Sequence, residues 1–401
     1  MKILLIHQAY FPEMSGTARR TTELAESFIN SGHSVTVLTS TPRTFRSFPD
    51  STFRYYEKIN KVNVYRINTI FYVKDNVLFR MLSYGFFVFF TIYKLIGKLY
   101  KYDIMISIAP LSSGIIGAIL RKFYRVHHHF DVPDMLPDLG IAAGMLKNKY
   151  LIKFLYKLEK WVYHQTDTIS ACTLGQVTAI SDKGIEKEKI FWIPDWVDKN
   201  FFELNNKLYN SKIKNIYNYP GKKIISFVGN IGALQKPEIF LDVMKLLSNE
   251  GYHDYLLLFI GDGIMLPEMK ILAEKYQLNN VEFIGRVKRE YIPSLMKLSS
   301  VLVTNYVPNS HLDLYIPGKL FEYAISERPI VMGSNGDAKY FIEKYKLGIA
   351  VTPSDPISFK EAIIKVSNEN YQFEPDKTKF TIDYSIDNVV QRYNTVFNQI
   401  K

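Results

Sequence analysis

Residues 316–329 place a basic and an acidic side chain about one helical turn apart, next to a proline and a glycine. Pro317 and Gly318 suit a helix start, because proline fits the first turn and glycine lets a ligand approach the backbone. The N–H groups there, with Lys319 beside them, would attract an anion, and Glu322 adds a carboxylate. A phosphate held next to a hydroxyl is the pattern of a nucleotide site. A capped helix with Lys319 and Glu322 in solvent explains the same residues equally well.

The elements around this stretch indicate an α/β protein. Apolar runs at residues 301–303 and 329–332 predict buried strands, so the stretch lies in a strand, loop, helix and strand sequence. With 401 residues the chain can form two domains, each with a full core. A hydrophobic share of 47% and a charged share of 22% are typical of globular rather than disordered proteins.

The carboxy-terminal signature of retaining family-4 glycosyltransferases is similar to the string IPGKLFEYAISERPIV, residues 316–331. The resemblance is to the branch that builds bacterial cell-surface polysaccharides. It implies the GT-B fold, in which two Rossmann-like α/β domains face each other across a cleft. The implied domains are residues 1–200 and 201–385, joined by a polar linker at residues 203–223, with a helix at about residues 386–401 that crosses back to the first domain.

The same resemblance assigns roles to the residues of the string. Glu322 would bind the ribose of a sugar nucleotide and Lys319 would face its diphosphate, both as catalytic residues. Gly318, where serine is usual, and Leu320 would contact the donor beside them. The resemblance therefore turns the helix start into the expected donor site.

A second candidate phosphate site follows the strand predicted at residues 224–228. A strand, a glycine-bearing loop and a helix suit phosphate binding. The wider family clamps the diphosphate there with arginine and lysine, whereas this chain has Asn230 and Gln235, with Gly232 between them, as in one variant of the branch. Lys319, Lys236 and backbone N–H groups would have to offset the charge of the donor. We therefore expect weaker electrostatic binding of the diphosphate.

Two further places are expected, from the resemblance, to contact the donor. Many relatives hold the donor sugar with a glutamate where this chain has Leu314, so the neighbouring Asp313 is the expected substitute. The backbone after an F-x-G strand end usually faces the nucleotide base, which makes Arg286 and Val287 candidates for that contact.

The first predicted domain opens with a strand at residues 1–6, a helix at 17–30 and a strand at 35–38. This βαβ pattern lacks G-x-G-x-x-G. Gly16 matches the place where the family has glycines that contact donor phosphate or acceptor. Residues 126–138 resemble the family's D-x-R-D-L-W-P-E, in which Asp134 and Pro137 match. Asp134 is the third expected catalytic residue, at the carboxyl end of a predicted strand, where open α/β sheets bind ligands.

Three consecutive histidines at residues 127–129 raise the question of a metal site. Neighbours on a strand alternate between faces, so at most His127 and His129 share one. Two ligands without a nearby cysteine or carboxylate cluster make a poor site. We expect neither a metal ion nor another cofactor. The single cysteine, Cys172, excludes an internal disulfide and fits a small buried hydrophobe.

Residues 51–125 carry 12 Lys and Arg against 3 Asp and Glu, so most of the chain's net charge of +11 arises there. An aromatic-rich run at residues 71–93 lies in the same stretch. The basic residues around it are Arg54, Lys58, Lys61, Arg66, Lys74, Arg80, Lys94 and Lys98. Basic and aromatic residues together indicate an anionic membrane surface or a nucleic acid, and no nucleic-acid motif is present. A core helix with a few lysines in solvent remains the alternative.

Two apolar runs are too short for targeting or spanning segments. Residues 1–6 fall short of a signal peptide, and residues 81–97 fall short of the roughly 20 residues of a spanning helix. We expect a cytoplasmic enzyme associated peripherally with the inner face of the plasma membrane.

Together these features predict a retaining hexosyltransferase that moves a sugar from a nucleoside diphosphate, with UDP as the nucleotide. The expected acceptor is a lipid-linked glycan, such as a polyprenyl-diphosphate sugar. Two alternatives stay open. A nucleotide-sugar 2-epimerase of the same fold would need an acid/base pair near the sugar. A pseudo-transferase would bind a partner or a membrane without turnover.

Overall fold

The computed structural model describes residues 1–13, 15–41, 55–68, 77–197, 213 and 216–400. The chain forms two compact units: Met1–Asp195 with Ile386–Lys401, and Trp196–Ser385. The first unit therefore ends at Asp195, a few residues before the boundary expected at 200. Arg54, Lys74, the side chain of Arg80 and most of the predicted linker lie outside the described residues.

The first unit is built on an eight-stranded sheet of order β3-β4-β2-β1-β5-β6-β7-β8. The strands are β1 (Lys2–Ile6), β2 (Ser34–Ser40), β3 (Tyr56–Ile59), β4 (Val62–Ile67), β5 (Ile104–Ile108), β6 (His127–Val132), β7 (Thr168–Ala171) and β8 (Ile190–Trp192). Only β3 runs antiparallel to its neighbour among the described strands. The central strands are buried on both faces, as helices on both sides of a parallel sheet require.

The helices of this unit are α1 (Gly16–Asn30), α2 (Val77–Leu95), α3 (Leu111–Phe123), α4 (Asp138–Ala142), α5 (Lys149–His164) and α6 (Leu174–Asp182), with α14 (Ile386–Phe397) from the end of the chain. The C-terminal α14 packs on α1, because Phe28 contacts Tyr393 and Phe397 with ring centroids 5.2 and 5.5 Å away. Within the described ranges, every helix is too short or too polar to span a bilayer.

The second unit contains a six-stranded parallel sheet of order β11-β10-β9-β12-β13-β14. Its strands are β9 (Lys223–Val228), β10 (Tyr255–Ile260), β11 (Val281–Gly285), β12 (Val301–Asn305), β13 (Ile330–Gly333) and β14 (Gly348–Val351). Its helices are α7 (Ile239–Asn249), α8 (Leu266–Lys275), α9 (Ile292–Leu298), α10 (Lys319–Ala324), α11 (Asp337–Lys344), α12 (Pro356–Val366) and α13 (Lys377–Asp383).

The strand order of the second unit reverses between β9 and β12, which lie side by side although β10 and β11 come between them in the chain. Open α/β sheets bind ligands at such a reversal, outside the carboxyl ends of the strands. The loop after β9 and the helix α10 both belong to this end of the sheet, so the fold brings the two predicted phosphate sites to one edge.

Candidate functional site

Glycines join the loops that follow β9 and β10. A Cβ atom at Gly261 would lie 2.0 Å from the carbonyl oxygen of Gly229, and one at Gly263 would lie 2.2 Å from that of Ile231. Any side chain at these places would collide with backbone. The turn Gly261-Asp262-Gly263 after β10 thus packs directly against the loop after β9. This contact fixes the backbone of the β9 loop, in which Gly229 has a φ of +122°.

The side chains of Asn230 and Gln235 converge on Gly232 in the β9 loop. A Cβ atom at Gly232 would lie 2.7 Å from Asn230 Nδ2 and 2.8 Å from Gln235 Oε1. Gln235 Oε1 is buried without a hydrogen-bond partner among the described residues. Asn305 at the end of β12 donates to the Gln235 carbonyl at 3.0 Å, which ties the loop to the neighbouring strand. The three predicted residues therefore form one small polar cluster.

Lys319 is the first residue of α10, and its ammonium group points beneath the β9 loop. Its Nζ atom is buried, has no hydrogen-bond partner among the described residues, and lies 3.8 Å from the ring centroid of Phe227 in β9. Its Cε atom is 3.4 Å from the position of a Cβ atom on Gly229. Burial lowers the pKa of Lys319 to about 7, although Glu322 opposes the shift. A buried cation without a partner is costly, and a bound anion would remove that cost.

Glu322, in the first turn of α10, has a cationic neighbour that the sequence did not indicate. Arg289 follows β11 and donates to Glu322 Oε1 at 3.3 Å. The Arg289 side chain is 45% exposed and that of Glu322 23%, so water screens the pair. The carboxylate therefore stands at the surface of the same edge at which Lys319 is buried.

Tyr323 fixes α10 against the end of β9. Its buried hydroxyl donates to the Val228 carbonyl at 2.8 Å and accepts from the Val228 N–H at 2.7 Å. These two bonds satisfy the backbone N–H and carbonyl of Val228 in place of a neighbouring strand. They also hold the helix that carries Lys319 and Glu322, so Tyr323 positions the site without facing it.

We expect Tyr323→Phe to lower the free energy of unfolding by about 1–3 kcal/mol, because a buried N–H and a buried carbonyl lose their partner. Urea titration followed by circular dichroism measures this change. Tyr340→Phe is the control, since Tyr340 is 55% exposed. Equal stabilities of the two variants would contradict the role of the Tyr323 hydroxyl.

Two N–H groups at the helix start bond within the chain. Leu320, a predicted donor contact, is fully buried, and its N–H donates to Pro317 O at 2.8 Å. The N–H of Phe321 bonds to the carbonyl of Gly318 at 3.3 Å. Fewer N–H groups are open than the sequence predicts. Gly318 itself is exposed, and a Cβ atom there would meet no described atom within 4 Å.

The other predicted donor contacts lie in separate places. Arg286 is 84% exposed and 3.8 Å from the Asp262 carboxylate, and Val287 beside it is half-buried. Asp313 lies in the helical turn Leu312–Leu314, where burial raises the pKa of its carboxyl group and a hydrogen bond from the Asn335 N–H opposes that shift. Asp313 is thus held against the loop after β13.

The first unit contains an ion cluster that no sequence motif indicated. Arg20 of α1 is buried and donates through Nε and Nη2 to Asp131 of β6, at 3.1 and 3.2 Å, and through Nη1 to Asp195. Ser170 Oγ donates to the same Asp131 carboxylate at 2.7 Å. Burial works against the charge of Asp131, but Arg20 holds its pKa below the ordinary value. The three charged side chains come from segments far apart in the chain, which explains why spacing did not reveal them.

Asp134 follows β6 near this cluster. Burial raises the pKa of Asp134 to about 6, the charge of Asp195 adds to the shift, and Arg20 opposes it. Asp134 is thus a carboxyl group that titrates near neutral pH.

Gly16, the first residue of α1, is exposed, and a Cβ atom there would meet no described atom within 4 Å.

The histidines of β6 are structural. His127 and His129 share one face and both bond to Thr168 Oγ1, at 3.0 and 2.9 Å, whereas His128 bonds to Ser107 Oγ at 2.6 Å. The alternation expected from the sequence is confirmed. Burial lowers the pKa of His128 and of His129 to about 3. No group of three metal-ligating side chains occurs in the part of the chain that the structure describes.

Two family models match the sequence, and together they span most of it. The model described as "Glycosyl transferase 4-like domain" matches residues 15–196, and the one described as "Glycosyl transferases group 1" matches residues 210–380. The chain is a glycosyltransferase of this family. The two matches correspond to the two units of the structure, and the family-4 glycosyltransferase resemblance of the 316–331 string is confirmed, whereas retention stays a prediction.

Relatives and solved structures agree with this assignment. The glycosyltransferase WcaI of Escherichia coli K12, which has a provisional assignment to colanic acid biosynthesis, is 24% identical over 311 residues, covering 74% of this chain and 75% of WcaI. The crystal structure of Anabaena HepE with UDP and glucose has a TM-score of 0.74 at 14% identity and covers 100% of both chains. WaaG, a glycosyltransferase involved in lipopolysaccharide biosynthesis, has a TM-score of 0.69 at 14% identity, covering 100% of this chain and 99% of WaaG. The structural likenesses show that this glycosyltransferase has the GT-B fold.

Proposed function

We propose that this glycosyltransferase moves a sugar, with retention, from a UDP-sugar to a lipid-linked glycan during the synthesis of a cell-surface polysaccharide such as O-antigen, capsule or exopolysaccharide. The observation that carries the proposal is the buried Lys319 ammonium group. It has no hydrogen-bond partner among the described residues and lies under the β9 loop, with Glu322 one turn away. The HepE structure, which contains UDP, supports the choice of nucleotide. WcaI and WaaG, by their names, support polysaccharide synthesis.

In this proposal the donor diphosphate binds at Lys319 and the Asn230–Gln235 cluster. Lys319 neutralises the negative charge that develops on the leaving phosphate. The fixed β9 loop holds that phosphate in place. Glu322 accepts hydrogen bonds from the ribose hydroxyls, and Asp313 is the candidate for the donor sugar. The positive charge comes from the chain itself, so the reaction is proposed to need neither a metal ion nor another cofactor.

The transfer step follows from the same groups. The bond between the sugar carbon and the diphosphate oxygen loosens, the acceptor oxygen forms a bond to the same face of that carbon, and the leaving diphosphate takes the acceptor proton. Positioning and charge stabilisation supply the rate enhancement, since no protein nucleophile is required. Asp134 and Gly16, in the first unit, are proposed to position the acceptor or the sugar.

A panel of UDP-sugars tests this function. A transferase slowly releases UDP from its own donor even without acceptor, and NMR of the released sugar reports the anomer. An epimerase would change the sugar without releasing UDP. A pseudo-transferase would do neither, and either of these two results would overturn the proposal.

We expect Glu322→Gln to weaken UDP binding at least about tenfold, because a charge-assisted hydrogen bond contributes about 1.5–3 kcal/mol. Isothermal titration calorimetry measures the affinity. Glu343→Gln is the matched control, since Glu343 is an exposed glutamate of α11 in the same unit. Unchanged UDP affinity in Glu322→Gln would show that the carboxylate does not hold the ribose.

Peripheral binding to an anionic membrane is proposed from the outer face of α2. Phe89 is 65% exposed, Lys94 lies in the last turn of the helix, and Lys98 follows just after it. A basic residue near an anionic leaflet contributes about 1 kcal/mol, and salt screens this attraction over roughly 8 Å. Several such residues, with aromatic side chains beside them, would hold the enzyme reversibly at the surface where lipid-linked glycans lie.

We expect the enzyme to float with vesicles that contain anionic lipid, and to float less as salt increases or when Lys94 and Lys98 are both changed to glutamate. Lys153→Glu/Lys157→Glu is the matched control, because these exposed lysines have the same spacing on α5. Vesicle flotation measures bound and free protein. If the enzyme binds no vesicles at any salt concentration, the acceptor would be a soluble molecule and not a membrane lipid.

A further inference from the structure

A groove of about 700 Å³ lies between the end of β4 and the second half of α2, within the first unit. We refer to it as the α2–β4 groove. Its apolar lining residues are Ile67, Phe90, Tyr93 and Ile96, and its basic lining residues include Lys94 and Lys98. The volume falls within the roughly 300–1,000 Å³ of small-molecule sites.

The helix that forms one wall of the groove presents its apolar residues outward. The face of α2 that packs on the unit contains Ser83, Phe87, Thr91 and Leu95. Phe90, Tyr93 and Ile96 are instead 40%, 71% and 57% exposed. A surface helix normally buries its apolar stripe and exposes its polar residues. Phe87 and Leu95 follow that rule, but Phe90 and Tyr93 of α2 and Ile96 just after it do not. Exposed large apolar residues grouped in this way are typical of a face that contacts an apolar ligand or lipid.

Two lysines, Lys94 and Lys98, line the groove. Lys94 Nζ lies 4.9 Å from the ring centroid of Tyr65. Burial lowers the pKa of Lys94, and the charge of Lys98 adds to the shift, so the two cations are close enough to repel each other. Among the described residues that line the groove there is no aspartate or glutamate.

The third cation of the groove, Arg66, is already engaged. It donates to the carboxylate of Glu57 at 2.6 Å and to the carbonyl oxygen of Phe11 at 2.6 Å. Lys94 and Lys98 thus provide positive charge that none of the described lining residues neutralises. An anionic group next to them would remove their repulsion and form charge-assisted hydrogen bonds.

We propose that the α2–β4 groove binds the lipid carrier of the acceptor, with an apolar chain along Phe90, Tyr93 and Ile96 and its phosphate at Lys94 and Lys98. The role of this ligand as acceptor rests on the function proposed above. The combination of an apolar wall with an unneutralised cation pair matches an amphiphilic phosphate. A second copy of this chain fits less well, because it would bring a second pair of lysines to the same face.

The experiment uses the full-length enzyme without vesicles and farnesyl diphosphate as the probe, below the concentration at which the probe aggregates. Calorimetry compares it with inorganic pyrophosphate and with farnesol. We expect farnesyl diphosphate to bind at least about tenfold more tightly than either part, and Lys94→Glu/Lys98→Glu and Tyr93→Ser each to weaken it about tenfold or more. Lys153→Glu/Lys157→Glu and Phe154→Ser, which alter exposed residues of α5, should leave the affinity unchanged.

Release of UDP from the UDP-sugar donor should be the same in all these variants, which separates the groove from the donor site. Equal loss of farnesyl diphosphate affinity in the α5 variants, or binding of pyrophosphate as tight as that of farnesyl diphosphate, would overturn the proposal. So would dimerisation through this face, seen by analytical ultracentrifugation as a dimer that Tyr93→Ser abolishes. If farnesyl diphosphate binds as expected but no UDP-sugar is turned over, the lipid-phosphate site in the groove is supported and the proposed transferase function is wrong.

Discussion

Lys319→Met is expected to lower UDP-sugar turnover about 100- to 1,000-fold while the melting temperature stays the same or rises. Removal of one group that stabilises developing negative charge typically costs that much in rate. Methionine retains the length and the contact with Phe227 but removes the charge. Since Lys319 Nζ has no described hydrogen-bond partner, the substitution breaks no described bond and ends the burial of a cation.

The pKa of Lys319 also predicts how stability and donor binding change with pH. The folded-state pKa of Lys319, about 7, lies below the ordinary 10.5, so the unfolded chain binds the proton more tightly. The cost of the buried charge is therefore fully present below pH 7 and disappears as pH rises toward 10.5. Lys319→Met should gain most in stability at or below pH 7. Donor binding by the native enzyme should weaken above pH 7, where the free lysine loses its proton.

Turnover, melting temperature by scanning calorimetry and UDP affinity at several pH values test these expectations together. Lys339→Met is the matched control, because Lys339 is an exposed lysine of α11 in the same unit. A large fall in melting temperature with normal specific activity would show that Lys319 is structural. A pH-independent UDP affinity in the native enzyme would contradict the titration assigned to it.

The sequence indicated the local parts of the site. Lys319, Glu322, Asn230, Gly232 and Gln235 lie in short segments whose apolar runs, glycines and charges are contiguous, and the structure places both segments at one edge of the second sheet. Such segments can be read without a partner, because a strand, a loop and the helix after it follow from the pattern of the chain itself. Their roles toward a donor remain predictions.

What the sequence could not indicate depends on residues that meet only in the folded chain. No sequence motif singled out Tyr323, yet its hydroxyl bonds to Val228, 95 positions earlier. Arg289 meets Glu322 from the loop after β11. Arg20 meets Asp131 across 111 positions. No periodicity encodes such pairs, since each is fixed by the order of strands in a sheet rather than by spacing along the chain.

Two details, at α10 and at the end of the first unit, depend on hydrogen bonds that the sequence does not show. The N–H groups of Leu320 and Phe321 already bond to Pro317 and Gly318, because the turn before a six-residue helix uses its own carbonyls. Asp195, where the first unit ends, accepts a hydrogen bond from Arg20 of α1. Both results depend on hydrogen bonds, which composition and hydrophobic pattern do not specify.

Asp134→Asn is expected to lower kcat/KM for sugar transfer by up to roughly 100-fold, because asparagine keeps the shape of the side chain and loses a charge-assisted hydrogen bond to a substrate hydroxyl. Burial raises the pKa of Asp134 to about 6, so kcat/KM of the native enzyme should fall as pH drops below 6 and this carboxylate gains a proton. The folded-state pKa lies above the ordinary 3.8, so stability is lost as pH rises from about 4 to 6. Asp134→Asn should therefore be at least as stable as the native enzyme above pH 6.

Asp195→Asn distinguishes a titrating Asp134 from a structural one. The charge of Asp195 helps to raise the pKa of Asp134, so its removal should move the acidic limb of kcat/KM to lower pH. Asparagine keeps an oxygen that can accept from Arg20, which preserves the cluster. Asp182→Asn, an exposed acid of α6, is the control and should leave the limb in place. An acidic limb that persists unshifted in both Asp134→Asn and Asp195→Asn would mean that another group titrates, because neither the carboxylate nor its charged neighbour would then govern the profile.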